Sequence, residues 1–553
     1  MSRKFLITFL LGFMLMPAGI SIAQTFEDSV AVIIKEKLGG AQVTGGFSVG
    51  TCQISSLTVI PEIYKRRGYR PIWVDANSVE QLIRAIEETY EDGLDPQDYH
   101  WQEIRQQWSM TRSGKPPDPS LTASLDLVLT DAFVLLANHS TCGKQDPLTF
   151  HPQWNLDRKI DNTDPVEFIE RAIASRSLVQ TINEWKISHP SYSRLKSALG
   201  AYRTIRDGGG WEEVPPGPTL NKGMIDPRVS ALRRRLAITD NLQEPATDPL
   251  TFDGELQQAV VYFQRRHGLK EDGAVGKETL AALNVPVEDR IDQIRVNLER
   301  SRWVLHDLGD RYVLVDIAGF RVYFNKDNKI VWSCKAQVGQ PYRDTPVFKS
   351  SIQYIQFNPP WVVPPTIFNK DVLPAVQKDP LYLRKKHIMV IDSKGREVNQ
   401  GTINWSQYPR LPFPYTLRQN PGPESALGRI KISFPNQYSV YMHDTPHKEL
   451  FEKEERTFSS GCIRLEKPFE LAELLFDDPA RWSLKDIMNA VDTGETRTFS
   501  LPRPVTILLL YWTVGVYEDG IISFKRDPYN RDSAVLDGLG RDSEIRPVAP
   551  PKG

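Results

Sequence analysis

Hydrophobic and polar positions divide the chain into blocks with different periods. The first apolar run, Phe5 to Met16, follows the basic start Met1-Ser2-Arg3-Lys4 and is broken by Pro17 and Gly19. It is shorter than the roughly 20 apolar residues that span a bilayer. Ser21-Ile22-Ala23 puts small residues where a signal peptidase cuts, so residues 1–23 read as a cleavable signal peptide. The mature chain is then expected to be periplasmic, to begin near Gln24 and to keep no transmembrane anchor. From 28 to about 220 the apolar spacing is helical, most clearly over Leu121 to Ala137, which contains neither Pro nor Gly. Turn strings at Arg66 to Trp73 and Asp92 to Pro96 punctuate this region, and Gly208-Gly209-Gly210 with Pro215-Pro216-Gly217-Pro218 closes it as a linker. Residues 225–285 fit two or three short helices, with Gly268 and Gly273 at turns, and 286–310 reads as a helical connector.

From 311 the period becomes two. Tyr312 to Ile317 and Phe320 to Phe324 flank Ala318-Gly319 as a hairpin, Ile330 to Gln337 is the next strand, and Val505 to Val514 is a buried strand. A β-rich domain over 311–530 follows, interrupted at about 375–425 by Tyr382, Trp405, Tyr408, Phe413 and Tyr415 among prolines and charges. A long insertion of this kind reads as a lid. Residues 531–553 offer little to pack and read as a loose tail.

A chain of 553 residues calls for two or three domains. Its 68 basic and 69 acidic residues leave no excess to recruit nucleic acid, so partner choice rests on local sites. The four cysteines, Cys52, Cys142, Cys334 and Cys462, include no C-x-x-C pair, which argues against zinc. If Cys462 is a catalyst at most one disulfide remains, and Cys52 with Cys142 is the pair to suspect. Cys334, next to Trp332-Ser333, reads as a small buried hydrophobe.

The chemistry concentrates in Tyr441-Met442-His443-Asp444 and Ser459-Ser460-Gly461-Cys462-Ile463-Arg464. Acyl transfer by a thiol needs a nucleophile, a proton carrier and donors for the oxyanion. Cys462 supplies the first, His443 the second and Arg464 a fixed charge that favours the ionised thiol. Gly461 allows close backbone approach and offers its N–H for the oxyanion. Asp444 would point to the face opposite His443 in a strand, so a backbone carbonyl is expected to hold the imidazole. His447 is a rival base in a solvated excursion.

The run FQRRHGLKEDGAVGKETLAAL at 263–283 resembles a peptidoglycan-binding module, and the His443 to S-x-G-C-[IV]-R string resembles the YkuD-type L,D-transpeptidase signature. Ser460 stands where that family usually has His before Gly-Cys, as in its long YcbB-like members. Val338-Gly339-Gln340, Asn358 to Pro364 and Ala426-Leu427-Gly428 look like further landmarks, and Pro71-Ile72-Trp73 resembles the scaffold region of the long members. The resemblance implies an α+β multidomain protein with a helical N-terminal scaffold, a small helical peptidoglycan-binding module and a mainly β catalytic domain. It implies a cell-wall acyltransferase in which Cys462 forms a thioester with a stem tetrapeptide, releases D-alanine and passes the acyl group to a diamino-acid amine. A 3-3 cross-link results, with peptidoglycan stem peptides and other wall-synthesis proteins as partners, no cofactor, and carbapenems as inhibitors. Tyr441, Ser460, Trp361 and Trp405 are the candidate substrate contacts. A carboxypeptidase or endopeptidase using the same thioester, and a wall-binding scaffold without turnover, remain as alternatives.

Overall fold

The computed structural model describes residues 18–44, 47–152, 154–156, 165–174, 178–240, 242, 248–305, 308–327, 329–408, 410–516 and 520–541. The apolar run Phe5–Met16, on which the signal peptide rests, lies outside them. The chain falls into two compact units, Met1–Lys144 with Lys159–Ile187 and Arg541–Gly553, and Gln145–Arg158 with Ser188–Gly540.

In the first unit the apolar repeat at 121–137 becomes the centre of the helix Pro119–Cys142, which Asp118 starts by accepting the Ser120 N–H at 2.9 Å. Among the described residues this is the one helix long and apolar enough to cross a membrane, but most of it is buried in protein. Its buried Asp126 accepts the N–H groups of Ile72 and Trp73 at 2.9 and 2.8 Å. The Pro71-Ile72-Trp73 string is thereby pinned to the helix, and burial pushes that carboxyl up to about 6. Asp131, one turn and a half further along, binds His100 Nε2 at 2.7 Å and accepts the N–H groups of Ser55 and Ser56 at 3.1 and 2.8 Å.

Burial opposes a charge on His100, yet its bonds to Asp131 and Cys52 outweigh that and raise the imidazole to about 9 from its usual 6.5. A histidine raised on folding contributes fully below its unfolded value and loses the contribution as pH climbs through the folded one. The unit is therefore expected to lose stability on the order of 3 kcal/mol between about pH 6 and about pH 10. Thermal melting followed by circular dichroism checks this, and His100→Asn should flatten the dependence. All four cysteines are free thiols, so the suspected Cys52–Cys142 disulfide is not present. Cys52 faces His100 instead, and the Cys142 sulfur meets the Thr141 hydroxyl at 3.7 Å.

In the second unit the module at 225–285 is helical, with Arg228–Thr239, Gly254–Arg266 and Lys277–Leu283 around Leu232, Leu236, Phe252, Val260, Phe263 and Leu283. The segment expected as a connector is the helix Val287–Val304, and it is a buried support. Its Glu299 pairs with Arg302 at 2.6 Å and accepts the Trp303 indole N–H at 3.1 Å. Asn297 binds the Thr513 hydroxyl at 2.7 Å. The loose tail does not begin at 531: Asp532–Leu539 is a helix whose Val535 is buried against Val296 and Trp303, with Asp532 ion-paired to Arg300 at 2.5 Å. Val535, Leu536 and Leu539 supply the helical spacing that makes this possible.

The strands are β1 (Ser48–Val49) and β2 (Cys52–Gln53) in the first unit, then β3 (Arg311–Asp316), β4 (Arg321–Lys326), β5 (Lys329–Gly339), β6 (Phe348–Phe357), β7 (Trp361–Val362), β8 (Ile388–Ile391), β9 (Glu397–Val398), β10 (Thr416–Gln419), β11 (Ile430–Ser433), β12 (Met442–His443), β13 (Thr457–Ser459), β14 (Ile463–Leu465), β15 (Arg497–Leu510), β16 (Val514–Val516) and β17 (Ile522–Phe524). The hairpin expected at 312–324 is β3 and β4, paired antiparallel. The main sheet runs β13-β5-β14-β12-β11-β6-β15-β3-β4, and β4 also pairs with β5, so the sheet closes on itself. Val313, Val315, Ile355, Phe357, Ile430, Ile432, Met442, Ile463, Leu465, Ile507 and Leu509 are buried together with Leu471, Leu475 and Ile487 of the helices Pro468–Phe476 and Leu484–Asp492.

The insertion starts earlier than its aromatic signal. β7, at Trp361, pairs with β10, and β7-β10-β8-β9 form a separate sheet over Phe368, Val372, Leu373, Val376, Leu383, Val390 and Leu417. Phe413 stacks on Phe368 with centroids 4.2 Å apart. Strands of two to four residues are too short for alternation to show, which is why the segment reads as irregular.

Candidate functional site

Each strand around the site carries one polar residue between apolar neighbours: Ala336-Gln337-Val338, Ile463-Arg464-Leu465, Ile430-Lys431-Ile432 and Ile355-Gln356-Phe357. The apolar residues turn into the core, so the polar ones share the other face. Register then lines them up. Gln337 pairs with Arg464, Arg464 with His443, His443 with Lys431, Lys431 with Gln356 and Gln356 with Thr498, a polar row across six strands. β12 and β14 run parallel, and the Ile463 N–H donates to the Tyr441 carbonyl at 3.0 Å. Carried back one residue, this register sets Tyr441 beside Cys462. The two sequence strings, 19 residues apart at His443 and Cys462, thus come together on one face.

The Cys462 thiol lies 3.7 Å from the Ser439 carbonyl, and both the backbone N–H and the hydroxyl of Tyr441 bond to the sulfur. Burial raises the thiol above its usual value despite those donors and the nearby Lys431 and Arg464. The ionised form expected from Arg464 alone is therefore not the resting form, because desolvation outweighs the two cations. The Tyr441 hydroxyl is also held well above its usual value, by burial and then by the sulfur, so it remains a donor. Trp361 hydrogen-bonds that hydroxyl through its side chain, which brings one candidate substrate contact, from the insertion, to the thiol's neighbour.

His443 is buried, and its Nδ1 meets the Asp444 carbonyl at 2.5 Å. A carbonyl only accepts, so Nδ1 carries the hydrogen and Nε2 is left as the proton acceptor. Burial, then Arg464, and also Lys431, lower the imidazole to about 3, so it rests neutral. The Asp444 carboxylate serves elsewhere, accepting the Arg429 N–H at 2.9 Å and pairing with Lys448 at 2.6 Å. A Cβ on Gly428, at φ +60, would collide with it. Among the described residues no direct hydrogen bond joins Cys462 to His443. Catalytic contacts in an unliganded site are often long and tighten only with substrate.

Gly461 has φ +108, a conformation that favours glycine, and it turns the chain so that Cys462 follows on the polar face. Its N–H does not point to an oxyanion position: it donates to the Ser459 hydroxyl at 3.1 Å, and the Thr345 hydroxyl donates to its carbonyl at 3.0 Å. Ser460 is exposed and accepts from Arg343 at 3.0 Å, while the same guanidinium holds Asp371 of the insertion at 2.9 Å. Trp405 is packed inside the insertion against Phe413, with centroids 5.6 Å apart, and no contact among the described residues joins it to Cys462. His447 is exposed and lies 3.4 Å from Glu449.

Lys431 and Gln337 are the residues that the sequence reading missed. The Lys431 ammonium sits 4.1 Å from the centre of the Tyr441 ring, and the Gln337 amide oxygen accepts from Arg464 at 3.2 Å. Arg464 Nε is buried without a partner. Neither Lys431 nor Arg464 has a carboxylate partner among the described residues, so the site holds two cations with no anion of its own.

Residues 310–495 match the profile of the L,D-transpeptidase catalytic domain, residues 226–283 that of a "Putative peptidoglycan binding domain" and residues 58–199 that of a scaffold domain. A relative from Haemophilus influenzae named "Putative L,D-transpeptidase" is 32% identical over 249 residues, which are 45% of this chain and 50% of that protein. The chain spans about half the length of the curated relative it matches. Solved L,D-transpeptidases from Xylanimonas cellulosilytica (15% identity, 54% of this chain and 100% of that one, TM-score 0.18) and Stackebrandtia nassauensis (14%, 53% and 97%, 0.22) overlap too slightly to carry an argument.

Proposed function

We propose, from the match of residues 310–495 to the L,D-transpeptidase catalytic domain and of residues 226–283 to a "Putative peptidoglycan binding domain", that this chain is a cysteine acyltransferase of the cell wall. The sulfur of Cys462 attacks the carbonyl before the terminal D-alanine of a stem tetrapeptide. His443 Nε2 takes the thiol proton and returns it to the departing amine. A side-chain amine of a neighbouring stem then attacks the thioester, His443 takes its proton, and the thiol is restored as a 3-3 cross-link forms. The carrying observation is the gathering around Cys462 of two Tyr441 donors and two cations without carboxylate partners, with the neutral His443 imidazole on the neighbouring strand beside Arg464. Donors of this kind are worth most where charge develops. Ser460 and Trp361 border this point and would contact the donor strand. A periplasmic location agrees with a wall substrate.

Purified protein mixed with a tetrapeptide donor and a diamino-acid acceptor should release D-alanine and form a cross-linked dimer detectable by mass spectrometry. Tripeptide without dimer would make water the acceptor, and no D-alanine release would leave a wall-binding scaffold. The protonation states give a further expectation. With His443 neutral above about pH 3 and the thiol raised, the acylation rate should show no inflection near 6.5 and stay level from about pH 4 to about pH 8. An acid limb centred on the usual imidazole value would mean that His443 titrates there and is charged, not neutral, below it.

A further inference from the structure

The first unit holds a second cysteine with a base and an acid beside it. β1 and β2 pair as a tight hairpin, and Cys52 stands on the returning strand, 7% exposed. His100 reaches it from the junction between Pro96–Tyr99 and the helix Trp101–Thr111, at φ 57. A residue other than glycine is uncommon there, so its surroundings hold it. His100 hydrogen-bonds the Cys52 thiol and, through Nε2, the fully buried Asp131 at 2.7 Å. Asp131 also accepts the N–H groups of Ser55 and Ser56, so the carboxylate that orients the imidazole also fixes the backbone just beyond the thiol.

Thiol, imidazole and carboxylate in this order are the parts of an activated sulfur nucleophile. The wall chemistry at Cys462 does not use them, and Cys52 lies before the scaffold profile begins at residue 58. The other cysteines outside the Cys462 site are built differently. Burial pushes the Cys334 thiol up to about 11, and the Cys142 sulfur contacts only a hydroxyl among the partners described.

We infer that Cys52 is a redox site, oxidised by small hydroperoxides to the sulfenic acid, with His100 as the proton carrier and Asp131 as its positioning residue. The slight exposure of Cys52 admits hydrogen peroxide or a short alkyl hydroperoxide and excludes an acyl donor of peptide size. The sulfur attacks one peroxide oxygen and the O–O bond breaks, while His100, held protonated beside Asp131, gives its proton to the leaving oxygen and takes up the thiol proton in its place. Sulfur loses two electrons and becomes S–OH, and the peroxide is reduced to water or an alcohol.

The test uses the full chain carrying Cys462→Ala, so that the wall-chemistry thiol does not compete. Treated with hydrogen peroxide in the presence of dimedone and digested for mass spectrometry, it should carry the adduct at Cys52 well before Cys142, although Cys142 is the more exposed. His100→Asn keeps a residue tolerant of the left-handed backbone and should slow labelling of Cys52 roughly tenfold or more while leaving Cys142 unchanged. A Cys52 that stays reduced while Cys142 is labelled overturns the inference. So does labelling of Cys52 that His100→Asn leaves equal or raises, since that would report exposure and not activation.

Discussion

Cys462→Ala is expected to remove D-alanine release and cross-linking altogether, because alanine cannot carry the acyl group between donor and acceptor. The same change should remove covalent trapping by a carbapenem, whose strained cyclic amide stands in for the donor carbonyl. Wild-type protein should gain one adduct, on the peptide containing Cys462. Cys334 should stay unmodified, since burial holds its thiol at about 11 and Lys467 and Glu466 contact it only through their backbone. Intact-mass and peptide mass spectrometry read both outcomes. Residual cross-linking by Cys462→Ala, or an adduct on another cysteine, would remove the mechanism.

Replacing His443 with Ala should lower the rate of acylation by about 10²- to 10⁴-fold, the usual contribution of a positioned acid–base group. The fall should be as large in carbapenem acylation as in turnover, because both begin with loss of the thiol proton. His447→Ala should change neither, since that ring is exposed and turned to Glu449. The fold should tolerate the loss of His443, because Lys431 and Arg464 oppose its charge and its ring bonds only to backbone carbonyl oxygen. Single-turnover measurements separate the two steps. Equal acylation by wild type and His443→Ala would leave proton transfer to another group.

The polar and apolar alternation from 311 onward was legible, as were the long helix at 121–137 and the adjacency of the His443 and Cys462 strings. Lys431 was not, because nothing in linear spacing says which strand lies beside β12. The single charge between Ile430 and Ile432 was the available signal, and it gains meaning only from the pairing of Lys431 with His443. The protonation state of Cys462 was hidden for a related reason. Arg464 can be read from sequence, whereas the burial that outweighs it belongs to the assembled sheet. Gly461 was expected to let the backbone approach substrate, but its left-handed turn and the destination of its N–H depended on where the Ser459 hydroxyl falls. Trp405 shows the converse limit: an aromatic among prolines reads as a surface contact, yet it faces a small core built by strands too short to recognise.

The polar row from Gln337 to Thr498 also bears on the order of events during folding. The pairs Gln337 with Arg464, Lys431 with Gln356 and Gln356 with Thr498 join strands far apart in sequence, and contacts of that kind close slowly because the intervening chain must first be brought together. Until β5, β14, β12 and β11 have joined, Cys462 has neither its Tyr441 donors nor its neighbouring cations. A partly folded chain therefore exposes an ordinary thiol, and acyl-transfer competence should appear only with the last pairing step, not in proportion to helix formation.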